Sequence, residues 1–246
     1  MEYEENKWFL KQPEKDDRLR IFCFPYAGAG GSVYRSWSYP RDQHVAVCPI
    51  QYPGRENRLF EPPIQEMDLL VSEICAQIKK HLDCPYLLFG HSLGAKVAFR
   101  VAVAMQKLYA VPKGLIVAGA RAPHIPETNP MCHLDDDKII EELRRLGGTP
   151  DEILNHKEIM KLFLPSIRAD YTLSDRFLYR ESRILDCPVM AVTGEYDTEA
   201  SLEEMRKWKG YTKKEFTHRA VKGDHFFIMA HEKELLGMIA DQYLRA

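Results

Sequence analysis

Long apolar runs and an excess of one charge sign are both missing from this 246-residue sequence. No segment approaches the roughly 18 uninterrupted apolar residues of a membrane span, so we expect no membrane association. The 34 basic and 36 acidic side chains give a formal net charge of −2. A protein that binds nucleic acid through its phosphates needs a basic excess, so we expect no nucleic-acid partner. The 45% of hydrophobic residues are typical of a globular protein.

Motifs for metals, disulfides and nucleotides are also absent. The six cysteines lie at positions 23, 48, 75, 84, 132 and 187 without a CxxC pair, which favours reduced, buried thiols in a cytoplasmic protein. The polar segment Met1–Lys7 lacks the pattern of a signal peptide. A dinucleotide fingerprint starting at Gly28 would need glycine where Val33 stands, and no Walker A motif occurs. We therefore expect no metal and no cofactor.

Short apolar runs alternate with longer segments of helical periodicity. The predicted strands are Leu19–Phe24, His44–Ile50, Tyr86–Phe89, Gly114–Ala118, Val189–Thr193 and Glu215–Val221. The predicted helices are Glu66–Leu82, with Leu69, Leu70, Ile74 and Ile78 on one face, Leu93–Leu108 and Leu235–Leu244. Strands that are apolar on both faces and alternate with helices indicate an α/β fold with a doubly wound, mostly parallel sheet.

One stretch, from 123 to 183, contains no convincing strand. It carries the predicted helices Asp135–Leu146 and Lys157–Tyr171, the second of them interrupted near Pro165. We interpret 123–183 as a helical lid inserted into a single domain that spans residues 1–246. The alternative is an enlarged crossover without a gating role.

The strongest local motif is GHSLG at Gly90–Gly94, which fits the G-x-S-x-G nucleophile elbow. The serine of this motif occupies a strained strand-to-helix turn that lifts its hydroxyl above the sheet. A Cβ at either glycine would collide with neighbouring backbone. An apolar run, Tyr86–Phe89, precedes the motif, and a helical segment, Ala95–Phe99, follows it. We therefore predict that Ser92 is a nucleophile.

A serine nucleophile needs a histidine base, which follows the serine in the chain of an α/β-hydrolase. Of the later histidines, His156 falls in the helical insertion, His218 inside a strand and His231 at the start of a helix. His225 follows a turn after the last strand, from which an imidazole can reach Ser92. We predict that His225 is the base.

The carboxylate that orients the base is predicted at Asp197. This residue ends the segment Thr193–Asp197, just beyond the C-terminal end of a strand, where open α/β sheets carry their sites. Glu195 is the near competitor. Asp224 is a poorer one, because adjacent residues usually point apart and Asp224 is next to His225.

An oxyanion hole requires two backbone N–H groups directed at the developing negative charge. One comes from the residue after the nucleophile, here Leu93. The other comes from the loop after an early strand, here the glycine-rich Pro25–Gly31, for which a simple turn is the alternative interpretation.

Five motifs together resemble a known family. They are FPYAGAG at Phe24–Gly30, PGR at Pro53–Arg55, GHSLGA at Gly90–Ala95, LPSIRADY at Leu164–Tyr171 and GDHFF at Gly223–Phe227. This set resembles the type II thioesterases that accompany nonribosomal peptide and polyketide synthetases. The likeness covers nearly the whole chain.

The resemblance implies an α/β-hydrolase fold with a helical lid. It implies a catalytic triad of Ser92, Asp197 and His225, with Ala27 and Leu93 as the oxyanion donors. The implied reaction removes short acyl or misprimed groups from the phosphopantetheine thiol of acyl or peptidyl carrier protein domains, which are the expected partners. We expect the protein to be a monomer.

Three other functions stay open at this point. A medium-chain acyl carrier protein thioesterase of fatty acid synthesis is closely related and differs in the acyl chain. A carboxylesterase or lipase would use the same triad on an oxygen ester. A non-catalytic binding module on a hydrolase scaffold is the third alternative.

Overall fold

A computed structural model describes residues 6–244. Most of the segment used to argue against a signal peptide lies outside these residues, so that expectation stays a prediction. Six parallel strands form one sheet in the order β2-β1-β3-β4-β5-β6. They are β1 (Leu19–Phe24), β2 (Val45–Pro49), β3 (Tyr86–His91), β4 (Gly114–Ala118), β5 (Val189–Gly194) and β6 (Phe216–Val221).

All six predicted strands are confirmed, with ends that differ by at most two residues. Every residue of β1, β3, β4 and β5 is buried, as expected for central strands covered by helices on both faces. The edge strand β6 has two exposed residues. Strand β3 continues through Gly90 to His91, so Ser92 is the first residue after the strand.

Seven helices accompany the sheet in residues 6–244. They are α1 (Met67–Ile78), α2 (Leu93–Lys107), α3 (Asp136–Leu146), α4 (Asp151–Leu154), α5 (Lys157–Asp175), α6 (Leu202–Arg206) and α7 (Glu232–Tyr243). The short α4 and α6 were not predicted, because one helical turn shows no periodicity. Leu69 was wrongly assigned to the buried face of α1. It is half exposed, and Leu70, Val71 and Ile74 form that face.

Two apolar cores lie on opposite faces of the sheet, because alternate residues of a strand point to opposite sides. Phe22 and Leu88 point to the core that includes α1 and α2. Ile21 and Leu87 point to the core that includes α7. The cysteines are free thiols, and Cys84 is among the two that are only partly buried.

The segment between β4 and β5 contains helices α3 to α5 and no strand within 123–183, as predicted. Its helices share a separate apolar cluster that includes Ile139 and Leu164. The predicted interruption near Pro165 is wrong, because α5 runs unbroken from 157 to 175. Proline removes one intrahelical hydrogen bond, but the buried side chains of Leu164 and Ile167 on either side hold this part of the helix against its neighbours.

No helix between residues 6 and 244 is long and apolar enough to cross a membrane. Over the same residues, no three His, Cys, Asp or Glu side chains are grouped as metal ligands. The expectation of no cofactor stays a prediction.

Candidate active site

The turn between β3 and α2 has the geometry of a nucleophile elbow. Ser92 adopts φ 53° and ψ −119°, a conformation that is strained for a residue with a Cβ. Its N–H donates to the Ala118 carbonyl of β4 at 2.9 Å, which fixes the turn at the carboxyl edge of the sheet. Ser92 is partly exposed there, whereas its neighbours His91 and Leu93 are fully buried.

Both glycines of the GHSLG motif are required by close backbone approach. A Cβ on Gly90 would overlap the backbone of Gly94, and a Cβ on Gly94 would overlap the Phe24 carbonyl at the end of β1. The sequence-based reason for the two glycines is therefore confirmed. The tight turn brings the start of α2 against the loop that follows β1.

His225 and Asp197 form a hydrogen-bonded pair. Nδ1 of His225 lies 3.0 Å from Oδ2 of Asp197 and 3.1 Å from Oδ1. The carboxylate is completely buried, and its Oδ1 also accepts the backbone N–H groups of Glu199 at 2.8 Å and Ala200 at 3.0 Å. These bonds fix the carboxylate and hence the plane of the imidazole.

Neither competing carboxylate contacts His225. Glu195 is exposed, and Asp224 accepts the N–H of Phe226 at 2.9 Å. A backbone hydrogen bond joins the loop of Asp197 to the loop of His225. The N–H of Tyr196 donates to the Gly223 carbonyl at 2.9 Å.

The other late histidines lie elsewhere. His156 caps the start of α5 by accepting the Ile159 N–H, and His218 lies 3.1 Å from the Thr193 hydroxyl on the edge of the sheet. His231 precedes α7 and contacts Glu234.

One further histidine, His91, was missed by the sequence analysis. Its ring is 4.9 Å from the ring of His225 and 5.5 Å from that of Tyr26. Neither of its ring nitrogens has a partner at hydrogen-bonding geometry among residues 6–244. Burial, with a contribution from His225, holds the pKa of His91 well below its usual range, so it is uncharged at neutral pH. Its place in the motif could have pointed to it, since the residue before the serine ends a buried strand.

One cavity of about 70 Å³ is lined by three of the five predicted site residues. Ser92, His225 and Ala27 all line it. Leu93 is the first residue of α2, so its N–H has no acceptor within that helix. The structure shows no acceptor for the Ala27 N–H within residues 6–244. The Ser92 hydroxyl and His225 share this cavity without a direct hydrogen bond between them.

A buried ion pair supports the loop after β1 and was also missed. Arg55 and Asp170 make two parallel bonds, Nη1 to Oδ2 at 2.6 Å and Nη2 to Oδ1 at 2.9 Å. The same Oδ2 accepts the N–H of Gly28 at 2.8 Å, and Nη1 donates to the carbonyl of Ala29 at 3.0 Å. Helix α5 therefore fixes the backbone on the C-terminal side of Ala27. Sequence spacing alone could not pair positions 115 residues apart.

This parallel sheet, with a serine at the β3–α2 turn and a His–Asp pair after later strands, has the α/β-hydrolase fold. The family model described as thioesterase domain matches residues 19–243, and the chain belongs to that family. It is a thioesterase, an enzyme that hydrolyses thioesters.

Relatives agree with this assignment. Gramicidin S biosynthesis protein GrsT of Aneurinibacillus migulanus is 35% identical over 240 residues, which cover 96% of this chain and 94% of the relative. Thioesterase PikA5 of Streptomyces venezuelae is 36% identical, with coverage of 94% and 83%. The solved structure of RedJ, a thioesterase from the prodiginine biosynthetic pathway in Streptomyces coelicolor, superposes with a TM-score of 0.84 at 34% identity and covers 92% of this chain and 90% of RedJ. The similar solved structures include type II thioesterases of the borrelidin and yersiniabactin pathways, so the resemblance to type II thioesterases is confirmed.

Proposed function

We propose that this enzyme hydrolyses acyl or aminoacyl thioesters on the phosphopantetheine arm of carrier protein domains. It would thereby regenerate misprimed carriers of a nonribosomal peptide or polyketide synthetase. One observation carries the proposal: Ser92 and the imidazole of the His225–Asp197 pair line the same cavity at the carboxyl edge of the sheet. The biosynthetic relatives of this thioesterase support the carrier-bound substrate.

In the proposed mechanism, Ser92, His225 and Asp197 act as a catalytic triad. Nε2 of His225 accepts the proton of the Ser92 hydroxyl while Oγ attacks the thioester carbonyl. The carbon–sulfur bond then breaks, and the departing thiolate takes that proton from the imidazolium. Water, deprotonated by His225, attacks the acyl-serine, and the proton returns to Oγ as the acid leaves. Asp197 holds the imidazole in the required orientation throughout.

The tetrahedral intermediates carry a negative oxygen that needs two donors. Backbone N–H groups of Ala27 and Leu93 are proposed for this role, because neither is used by an acceptor of the protein. The tie between Gly28 and Asp170 supports the proposal, since it holds the first of these donors in place before substrate binds.

The segment 123–183 is proposed to be a lid. Met131, Leu146 and Tyr171 from this segment line the same cavity as Ser92. A lid in this position would exclude water from the acyl-enzyme until the thiol has left. A single domain, a monomer and a cytoplasmic location stay predictions.

The alternatives differ in the substrate. A medium-chain acyl carrier protein thioesterase would prefer medium-length alkyl chains such as octanoyl over acetyl. A carboxylesterase or lipase would prefer an oxygen ester over its thioester. A non-catalytic module would fail to react at Ser92. Paired assays with acetyl and octanoyl carriers, and with the matching oxygen esters, separate these functions.

The deciding experiment measures acyl release from a loaded carrier protein by the wild type and by Ser92→Ala. We expect the substitution to lower kcat by about a million-fold, because the nucleophile is removed. A fluorophosphonate should label the wild type and not the variant. Ser201→Ala, in the exposed cap of α6, is the matched control and should keep full activity. Full activity of Ser92→Ala would refute the mechanism.

A further inference from the structure

The C-terminal end of α3 lies against the two loops that carry the proposed catalytic pair, His225 and Asp197. We call its residues that reach this site the α3 end, and they are Arg145, Leu146 and Gly148. The first two line the cavity of Ser92, as do Phe226 of the His225 loop and Glu199 of the Asp197 loop. The helical segment therefore reaches both loops on which the proposed mechanism depends.

Gly148 is packed on the ring of Phe226, the residue next to His225. A Cβ at Gly148 would overlap three carbons of that ring, so any other residue would displace the ring. The neighbouring Gly147 is glycine for a different reason. It ends α3 with φ 80°, and a Cβ there would meet nothing within 4 Å. Only Gly148 is thus required by the contact with the histidine loop.

The ring of Phe226 is held among other aromatic rings. Its centre lies 5.3 Å from that of His225 and 5.1 Å from that of Tyr26, both in edge contacts. The ring of the buried His91 is 6.2 Å away. Displacement of this phenyl ring would therefore press on the imidazole that has to receive the proton of Ser92.

Arg145 joins the α3 end to the other loop. Its Nη1 lies 3.1 Å from Oε1 of Glu199, while its Nε donates to Glu142 of its own helix at 2.6 Å. The backbone N–H of Glu199 donates to Oδ1 of Asp197 at 2.8 Å. Glu199 is thus bonded to the α3 end through its side chain and to the carboxylate of Asp197 through its backbone.

The contact between Arg145 and Glu199 can be released without unfolding. The side chain of Arg145 is 46% exposed and that of Glu199 is 21% exposed. Exposed ion pairs contribute little to stability, so this pair can break and form again while the fold persists. Arg145 also lines an outer groove of about 350 Å³ on the helical segment, so its side chain has room to leave the loop of Asp197.

We propose that the α3 end, when docked, positions the imidazole and the carboxylate of the His225–Asp197 pair for the reaction. Gly148 acts through the ring beside the histidine, and Arg145 acts through the residue whose N–H holds the carboxylate. Both are positioning residues. Without a docked α3 the Ser92 hydroxyl has a misplaced base, so hydrolysis is slow even at saturating substrate. This inference rests on the proposed function of the site.

The first test compares the two glycines in hydrolysis of S-acetyl-N-acetylcysteamine, a thioester that presents the end of the pantetheine arm without a carrier. Gly148→Ala places a methyl group against the ring of Phe226. We expect kcat to fall by about tenfold to a hundredfold, while the urea midpoint of unfolding changes little. Gly147→Asn is the matched control, because asparagine tolerates a positive φ and its Cβ meets open space. It should keep the wild-type kcat.

Two measurements distinguish positioning from a role in substrate binding or folding. Positioning lowers kcat at saturating substrate, whereas a residue that only shapes the binding site raises KM alone. The low-field proton NMR signal of the hydrogen bond between Nδ1 of His225 and Asp197 should shift or broaden in Gly148→Ala and not in Gly147→Asn. An unchanged kcat in Gly148→Ala, or an effect confined to KM, would overturn the proposal.

The second test uses the two partners of Arg145. Glu199→Gln removes the ion pair with the Asp197 loop, and we expect kcat to fall by about twofold to fivefold. Glu142→Gln removes the ion pair within α3 and should leave kcat unchanged. Arg145→Gln should match Glu199→Gln, and the double variant Arg145→Gln, Glu199→Gln should show no further loss. Additive losses, or an equal loss in Glu142→Gln, would refute the role of Arg145.

Failure of this inference differs from failure of the proposed function. If the wild type hydrolyses no thioester and Ser92 takes no fluorophosphonate, the proposed function fails. If the wild type is active and neither Gly148→Ala nor Glu199→Gln lowers kcat, only the positioning by α3 fails. Should Gly148→Ala not fold, the comparison of Glu199→Gln with Glu142→Gln decides alone.

Discussion

The carboxyl edge of the sheet and the helical segment 123–183 are built in different ways. Strands β3 and β5 are fully buried, the turn after β3 is tied to the end of β4 by the Ser92 N–H, and the turn after β5 is tied to the turn after β6 by the Tyr196 N–H. The helical segment instead packs around its own small apolar cluster. The comparison teaches that the proposed catalytic residues Ser92, His225 and Asp197 lie on turns held by the sheet, whereas the segment completes the walls of the cavity.

The helical segment is itself divided. Helix α5 is anchored to the α/β core by Asp170, which contacts Arg55 and Gly28, and by Ser174, which accepts Lys96. Helix α3 instead packs on α5 through the apolar cluster of the segment, and its ion pairs, such as that between Arg168 of α5 and Asp136, are largely exposed. We therefore expect that, if the segment opens as the proposed lid, α3 and α4 move around a fixed α5.

The largest effect is expected at the rigid edge, from Asp197→Asn. The amide preserves the shape of the buried side chain but disfavours the imidazole tautomer that the reaction requires, so kcat should fall by about 10⁴-fold. Steady-state hydrolysis of an acyl thioester measures it. Glu195→Gln, an exposed neighbour, is the control. A loss smaller than tenfold for Asp197→Asn would assign the orienting role to another residue.

The next effect is expected where the two regions meet, from Asp170→Asn. Removing one charge leaves the buried guanidinium of Arg55 uncompensated, which should destabilise the fold by about 3 kcal/mol. The Gly28 N–H also loses its charged acceptor. Displacement of the neighbouring Ala27 N–H, the proposed oxyanion donor, should lower kcat by about tenfold to a hundredfold.

Denaturant unfolding measures the free energy of unfolding. The hydrolysis rate is divided by the concentration of enzyme that a fluorophosphonate labels, which gives kcat per active site. Asp136→Asn, which breaks an exposed pair in the same segment, should change stability by at most about 1 kcal/mol and leave kcat intact. Unchanged kcat per labelled site in Asp170→Asn would limit α5 to a structural role.

Hydrogen exchange tests whether α5 is held more firmly than α3 and α4. Amides of α5 should exchange about as slowly as those of α2, because both are held by buried contacts. Amides of α3 and α4 should exchange at least about tenfold faster. Equal protection of α3 and α5 would mean that the whole segment opens as one unit.

The smallest effect concerns the buried imidazole beside the reacting pair. The native pKa of His91 is depressed by burial, whereas in the unfolded chain it returns to about 6.5. Below that pH the unfolded chain binds an additional proton, so stability contributed by neutral His91 is present above pH 6.5 and falls as the pH decreases. The slope is at most about 1.4 kcal/mol per pH unit.

His91→Phe removes this titration and should flatten the stability profile between pH 5 and 6.5 in urea unfolding. Identical slopes for His91→Phe and the wild type would place the pH dependence elsewhere.

Most of the fold could be predicted, as could the positions of Ser92, His225 and Asp197 at one edge of the sheet, because the signals are local. The catalytic roles of these residues stay proposals. Strand β4 is an apolar run between turn residues, which predicts a buried strand. In GHSLG, both glycines are explained by the backbone collisions that a Cβ would cause. Asp197 followed from the rule that sites lie after parallel strands. Local signals failed at Leu69, where neighbouring apolar residues compete for one face, and at Pro165, where tertiary packing outweighs a helix-breaking residue.

The sequence by itself determined the α/β order of elements, the elbow at Ser92 and the family, since each depends on short patterns of side-chain size, polarity and backbone freedom. Only the tertiary structure decided which carboxylate contacts His225, that Asp170 supports the loop of Ala27, and that Lys96 meets Glu127 in the cavity wall. Those pairs are distant in sequence. They are selected by the burial of charges that must find partners once water is excluded.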